Sequence, residues 1–262
     1  MVQGRRSIGI HETDSWIFNR MADVYGARPP YPAALIDALA ALAGPDRRRV
    51  LDLGSGIGHL ALPLAGRGLD VIAVEPALAM LEQLKRRGAE LDLPVRAIHG
   101  AGEELPLPDG SQDLAILSDV VHFLDAERSG RELGRVLGPE GALAVLTCEF
   151  PSTPFMQGVT RLMESAAPRR PRDMSQAIVQ LFALSRMEPP REARYFEDET
   201  SVDEETLERI LRSISFIGPA MNQERFAAFR AKVMALPGPR VWARRFTLRS
   251  GRRRSRARTT SP

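Results

Sequence analysis

Val50-Leu51-Asp52-Leu53-Gly54-Ser55-Gly56-Ile57-Gly58-His59-Leu60 decides how the rest of the chain is read. Val50 to Leu53 reads as a buried strand, the alternating glycines as a tight turn, and Gly58 to Gly66 as a helix. Glycine at alternate positions lets the backbone turn sharply and lets a ligand lie directly against main-chain N–H groups. A turn that opens into a helix N-terminus would add oriented donors and the positive end of a dipole. Dinucleotide-binding turns use Gly-x-Gly-x-x-Gly, and from Gly54 that frame puts His59 where the third glycine belongs. The spacing met in full is Asp-x-Gly-x-Gly-x-Gly, carried by Asp52, Gly54, Gly56 and Gly58.

Outward from this turn, short apolar runs alternate with helical segments of roughly ten residues. Strands are expected at 50–53, 70–75, 95–99, 113–118 and 142–148, with helices at 77–87 and 126–137 between them. That alternation predicts a parallel sheet covered on both faces. Ahead of it, residues 14–25 read as a helix with Thr13 or Asp14 as N-cap. Arg28-Pro29-Pro30-Tyr31-Pro32 breaks that helix, and a second spans residues 33–43. After Phe150 the pattern changes to helical segments over 151–187 without an intervening strand, which predicts an insertion. Further strands are expected at 194–199 and 240–249, with helices at 202–214 and 223–236. The organisation expected is residues 1–45 as N-terminal helices, 46–150 as the α/β core, 151–250 as a cap and last strands, and 251–262 as a basic, disordered tail.

Composition excludes several classes. At 262 residues with 44% apolar content the chain can build one sizeable α/β domain. No run approaches the ~18 apolar residues of a membrane span, and residues 1–10 lack the apolar stretch of a secretory signal. Cys148 is the only cysteine, which rules out an intrachain disulfide and a cysteine-clustered zinc site. The four histidines show no metal spacing, so no metal is expected, and a soluble cytoplasmic protein is the default. Of the 36 basic residues only Lys85 and Lys232 are lysine. The last fourteen residues hold six arginines and no acid, so without them the formal charge moves from +3 to −3. Arg252, Arg253, Arg254, Arg256 and Arg258 could bind phosphates non-specifically. The acidic body and the absence of any recognition module argue against nucleic acid as the partner.

The ordered motifs resemble the class I S-adenosylmethionine-dependent methyltransferases, in particular the small-molecule branch that includes ubiquinone-biosynthesis-type and trans-aconitate-type enzymes. Val71-Ile72-Ala73-Val74-Glu75-Pro76 is similar to the family's second strand, whose terminal acid binds ribose hydroxyls, and Met80 in the following helix matches a position near the adenine. Gly100 to Asp113 is similar to the adenine loop and fourth strand, with Ala101, Gly102, Glu103 where Asp, Ala, Glu are common. Ser118-Asp119-Val120-Val121-His122-Phe123 resembles the segment that lines the methyl-transfer cavity. Arg135 to Gly141 resembles the turn before the fifth strand, with Glu140 replacing a glycine. Tyr25, Arg28 and Tyr31 resemble an N-terminal lid.

The resemblance implies a Rossmann-like, doubly wound α/β fold: a mostly parallel seven-stranded sheet with N-terminal lid helices and a helical insertion after the fifth strand. It implies S-adenosyl-L-methionine as cofactor and a small-molecule acceptor. The cofactor set it implies is Arg28, Asp52, Gly54, Ser55, Gly56, Gly58, Glu75, Pro76, Met80, Gly102, Glu103 and Ser118. Tyr25, Tyr31, Asp119 and His122 fall on the acceptor side. His122 could act as general base, or could be only a hydrogen-bonded wall, because sulfonium methyl transfer needs mainly positioning and exclusion of water. Asp52 could equally cap its own loop, and Arg28 and Tyr31 could serve only to fix a helix–helix corner. Met156, Met163, Met174 and Phe182 could line an apolar pocket or be ordinary core. Two other readings remain open: an RNA or protein methyltransferase that recruits substrate through the arginine tail, and a non-catalytic cofactor-binding module.

Overall fold

Val50 is buried on one face of β1 (Arg49–Leu53), while Leu51 and Leu53 are buried on the other, so this strand must sit inside a sheet covered on both sides. The computed structural model describes residues 17–168, 174–190 and 192–253. Six more strands join β1: β2 (Asp70–Glu75), β3 (Val95–His99), β4 (Gln112–Ser118), β5 (Leu137–Glu149), β6 (Ala193–Ser201) and β7 (Val241–Arg252). Their order is β3-β2-β1-β4-β5-β7-β6, with β1 to β5 parallel and β7 antiparallel to both its neighbours. The order reverses between β1 and β4, and ligands of such sheets bind in the crevice beyond the carboxyl ends at that point. Asp52 stands beside Ala73 and Ile116 in register, so the glycine turn and the chain leaving β4 open onto the same crevice.

α2 (Ala33–Ala43), α3 (Ala61–Ala65) and α4 (Leu78–Glu90) cover one face, through Leu35, Leu39, Leu64 and Leu84. α5 (Ala126–Val136) and α7 (Ser175–Leu184) cover the other, through Leu133, Leu181 and Phe182. A third core joins α6 (Pro154–Ala166), α8 (Glu204–Arg212) and α9 (Gln223–Met234) to Trp242 of β7. A fourth, small one seats α1 (Ala22–Tyr25) and Met21 on Ile57, Ala77 and Met80. Side-chain oxygens of Asp125, Thr153, Asp203 and Asn222 cap α5, α6, α8 and α9, which fixes where each helix begins.

The structure differs from the sequence expectations in four places. The N-terminal helix is a single turn, Ala22–Tyr25, behind a 3-10 turn at Asn19–Met21; Thr13 and Asp14 lie outside the described residues. The helix expected from Gly58 begins only at Ala61, because Gly58 still has φ +83°. The stretch 151–250 does not act as one cap: α7 lies against α5 under the sheet, and only α8 with the residues after it reaches the crevice. Met156 and Met163 belong to the third core, Phe182 to the second, and Met174 packs against the second. Lastly, the chain remains in β7 through Arg252. Arg253 donates to the carbonyls of Leu137 (2.8 Å) and Gly134, at the end of α5, while 254–262 lie outside the described residues. Among the described residues no helix is long and apolar enough to cross a membrane, and no group of His, Cys, Asp and Glu is placed to hold a metal ion.

Candidate functional site

A cavity of about 200 Å³ lies beyond the carboxyl ends of β1 and β4. Its walls bring together nine of the residues singled out in the sequence: Tyr25, Arg28, Tyr31, Asp52, Gly54, Ser55, Gly56, Ser118 and Asp119. Gly54 turns with φ +71°, and a Cβ there would stand 2.4 Å from Val120 Cγ1, so the turn after β1 and the turn after β4 touch only because this residue has no side chain.

Four of the turn's N–H groups are already engaged within the protein. The amides of Gly54 and Ser55 donate to Val74 O, that of Gly56 to Glu75 Oε2 (2.8 Å), and that of Gly58 to Ser55 O. What it offers instead is acceptors. Asp52 Oδ2 and Ser55 Oγ are buried and, among the described residues, have no hydrogen-bond partner. Buried polar atoms are almost always paired, so such orphans point to a ligand carrying donors. Burial pushes the Asp52 carboxyl up to about 7, with the Glu75 charge adding to the rise and the Ala61 amide opposing it. Burial likewise takes Glu75 up to about 7, against hydrogen bonds from the Ala77 and Gly56 amides. Both are therefore poised between neutral and ionised near pH 7.

On the lid side, Arg28 donates to Ser213 Oγ (2.9 Å), Ser213 O (2.6 Å) and Tyr25 OH (3.0 Å), and its guanidinium lies 4.1 Å from the Tyr25 ring centroid. Tyr25 stacks on His59, and Tyr31 OH shares a 2.9 Å hydrogen bond with Ser118 Oγ. Burial drives His59 down to about 3, so its ring is neutral. Asp119 has φ +53°; its Oδ1 accepts from Cys148 N–H (2.9 Å) and its side chain is open to the cavity. The surrounding protein takes its carboxyl up to about 6, opposed by that hydrogen bond and by Arg28 and Arg244.

The remaining expected residues lie outside the lining. Gly58, Glu75, Pro76 and Met80 stand behind the turn, Met80 fully buried beneath α1. Gly102 is buried with the side-chain ends of Leu53, Leu124 and Ser129 in tight contact with the place of a Cβ, and Glu103 accepts from Asp125 N–H at the entrance to α5. His122 is exposed on a 3-10 turn, against Phe123. The left-handed Asp119 redirects the chain so that Val121 turns inward and His122 outward.

Several cavity residues were not anticipated. Ile210, Ile214 and Phe216 come from α8 and the turn after it, and Trp242, Arg244 and Phe246 from β7. The β7 trio was legible in principle: alternate residues of one strand share a face, and an arginine between two aromatics there is unusual. Arg244 is 7% exposed and donates to Pro29 O, Pro30 O and Asp198, which ties the lid segment to the sheet.

The ligand-free protein should become less stable as pH rises from about 4.5 to 7. The folded chain holds the Asp52, Glu75 and Asp119 protons above the ordinary carboxylate range, so it binds more protons than the unfolded chain in that window. His59, neutral down to about 3, acts in the opposite sense up to the ordinary histidine range but is one group against three, and the carboxylates lowered by arginine, Asp113 and Glu132, oppose only at the ordinary carboxylate range and below. Thermal unfolding at pH 5.5 and pH 8 checks this, and a higher midpoint at pH 8 would contradict it.

A seven-stranded sheet of this order, with an acidic glycine turn at its reversal point and a cavity beside it, defines a class I methyltransferase fold. The sequence model of the methyltransferase domain family matches residues 51–145. An uncharacterized methyltransferase of Mycobacterium tuberculosis (strain ATCC 25618 / H37Rv) is 44% identical over 119 residues, 45% of this chain and 46% of the relative. A demethylmenaquinone methyltransferase of Thermus thermophilus is 40% identical over 110 residues, 41% of this chain and 49% of that one. This chain thus spans about half the length of the curated relatives it matches. A solved structure from Anaeromyxobacter dehalogenans, carrying a provisional type II methyltransferase name, superposes with TM-score 0.58 at 27% identity, covering 86% of this chain and 97% of its own.

Proposed function

We propose that the chain is an S-adenosylmethionine-dependent methyltransferase that modifies a small molecule in the cavity beyond β1 and β4. The observation that carries this is the pair of orphaned acceptors, Asp52 Oδ2 and Ser55 Oγ, at the glycine turn of a methyltransferase domain. The cofactor has no phosphate but bears an ammonium group, ribose hydroxyls and a sulfonium, and a turn rich in acceptors fits that donor set. When bound, it supplies a methyl group made electrophilic by the positive sulfur.

Asp52 and Ser55 would accept from the ammonium, and Glu75 retains lone pairs for the ribose hydroxyls after serving Gly56 and Ala77. Gly54 lets the turn close on Val120, Gly56 leaves room for the ligand to approach the backbone, and Arg28 would supply positive charge for the carboxylate. Met80, Pro76, Gly102 and Glu103 would support these walls from behind. Tyr25, Tyr31 and the aromatic residues of β7 close the acceptor end and exclude water, which strengthens charge interactions inside. His122 carries no role in this proposal, since its exposed turn lies off the cavity.

Incubating the protein with labelled S-adenosylmethionine and a mixture of small metabolites should yield a cofactor-dependent methylated product. Truncation after Arg253 should leave that turnover unchanged, because Arg253 is the last residue seen to hold the fold. Loss of activity on truncation, with steep salt dependence, would favour the macromolecular substrate instead. Cofactor binding without transfer to any acceptor would favour the binding module.

A further inference from the structure

The geometry points to Asp119 as the residue that meets the acceptor, taking the hydrogen bond and then the proton of an O–H or N–H group on a small, flat, apolar molecule. This rests on the methyltransferase reading above and deepens it.

Asp119 adopts φ +53° at the end of β4, and left-handed non-glycine residues that the surroundings hold in place cluster at functional sites. Its amide donates to Leu146 O and its Oδ1 accepts from Cys148 N–H, so β5 clamps it from both ends. Among the described residues Oδ2 has no protein donor, and the side chain is open to the cavity.

The other polar groups facing Asp119 are engaged elsewhere. Tyr31 and Ser118 bond each other. Arg28 is held by Ser213 and Tyr25, and Arg244 by Asp198 and two lid carbonyls. The Cys148 thiol donates to Glu149 O and burial raises its pKa. Asp119 thus offers a carboxylate in a lining it shares with Phe150, Trp242, Phe246, Ile214, Phe216 and the Ser215 hydroxyl. Such walls fit an apolar ring, and a carboxylate among them selects a molecule with a donor. Enclosure by the cavity walls, offset by the Cys148 amide and by Arg28 and Arg244, raises the carboxyl to about 6, ionised at neutral pH yet able to take a proton.

The step balances. The acceptor's oxygen or nitrogen lone pair forms the bond to the methyl carbon as the carbon–sulfur bond breaks, and that bond's electron pair remains on sulfur as a neutral thioether. The acceptor's proton passes to Asp119 and then to solvent.

The test uses the full chain saturated with S-adenosylhomocysteine, and two probes followed by fluorine NMR: 4-fluorophenol, which has the donor, and 4-fluoroanisole, which lacks it. Asp119→Asn keeps the shape, tolerates the left-handed backbone and still accepts from Cys148 N–H. The wild type should bind the phenol about tenfold tighter than the ether, as a charge-assisted hydrogen bond allows. D119N should bring the two within about twofold, with S-adenosylhomocysteine affinity unchanged. Lowering the pH through 6 should weaken phenol binding to the wild type and leave D119N flat. Equal binding of both probes to the wild type, a preference that survives D119N, or binding of neither probe overturns the inference while leaving the cofactor reading intact. If S-adenosylhomocysteine itself fails to bind, both fall.

Discussion

Arg244→Ala is expected to lower the unfolding free energy by about 3–5 kcal/mol, a large part of the ~5–15 kcal/mol that holds a typical domain together. The arginine and its partner Asp198 are 9% and 19% exposed at their side chains, so removing one leaves the other charge poorly solvated. The same change strands Pro29 O and Pro30 O, which accept from the guanidinium at 2.9 and 2.6 Å. Because those carbonyls belong to the lid segment, ligand affinity should fall along with stability. Arg244→Lys should rescue little, since a single ammonium cannot serve a carboxylate and two carbonyls in one plane. Arg244→Ala combined with Asp198→Ala should cost less than the sum of the two, because the uncompensated charge is gone. Urea unfolding of the wild type, the three single variants and the double variant measures this, and a loss below about 1 kcal/mol in Arg244→Ala would show the pair to be ornamental.

Glu75→Ala is expected to weaken binding of the proposed cofactor by at least about a hundredfold. Hydrogen bonds to a charged group are each worth ~1.5–3 kcal/mol, and two ribose hydroxyls would lose theirs. The variant also releases Gly56 N–H and Ala77 N–H, both bonded to this carboxylate at 2.8 Å, so the turn itself loosens. Glu75→Gln separates the two effects. Its one carbonyl can hold one amide, so it should restore much of the thermal stability and little of the affinity. Equal affinity in all three proteins would remove Glu75 from the cofactor site.

What the sequence revealed depended on how local each determinant is. β2 and β3 run from Asp70 to Glu75 and from Val95 to His99 as read, because continuous apolar runs between turn signals are local facts. Asp52, Gly54 and Ser55 line the cavity because the turn after β1 is likewise self-contained. The errors arise where distant contacts decide. The glycine turn's amides are consumed by Val74 O and Glu75 of the neighbouring strand, which no motif spacing reveals. His122 faces outward because one left-handed residue, Asp119, turns the chain. Ile214 and Trp242 reach the cavity from the turn after α8 and from β7, far along the chain from the core motifs. The tail expected from 251 begins inside a strand, since Gly251 and Arg252 pair with Leu143 and Ala142.

The most direct test of the account is calorimetric titration of the intact chain with S-adenosylmethionine at pH 6 and pH 8. One site per chain is predicted, lost in Glu75→Ala and tighter at pH 8, where the Asp52 and Glu75 carboxyls are ionised. A folded chain that takes up no S-adenosylmethionine, or binds it equally well without Glu75, would contradict it.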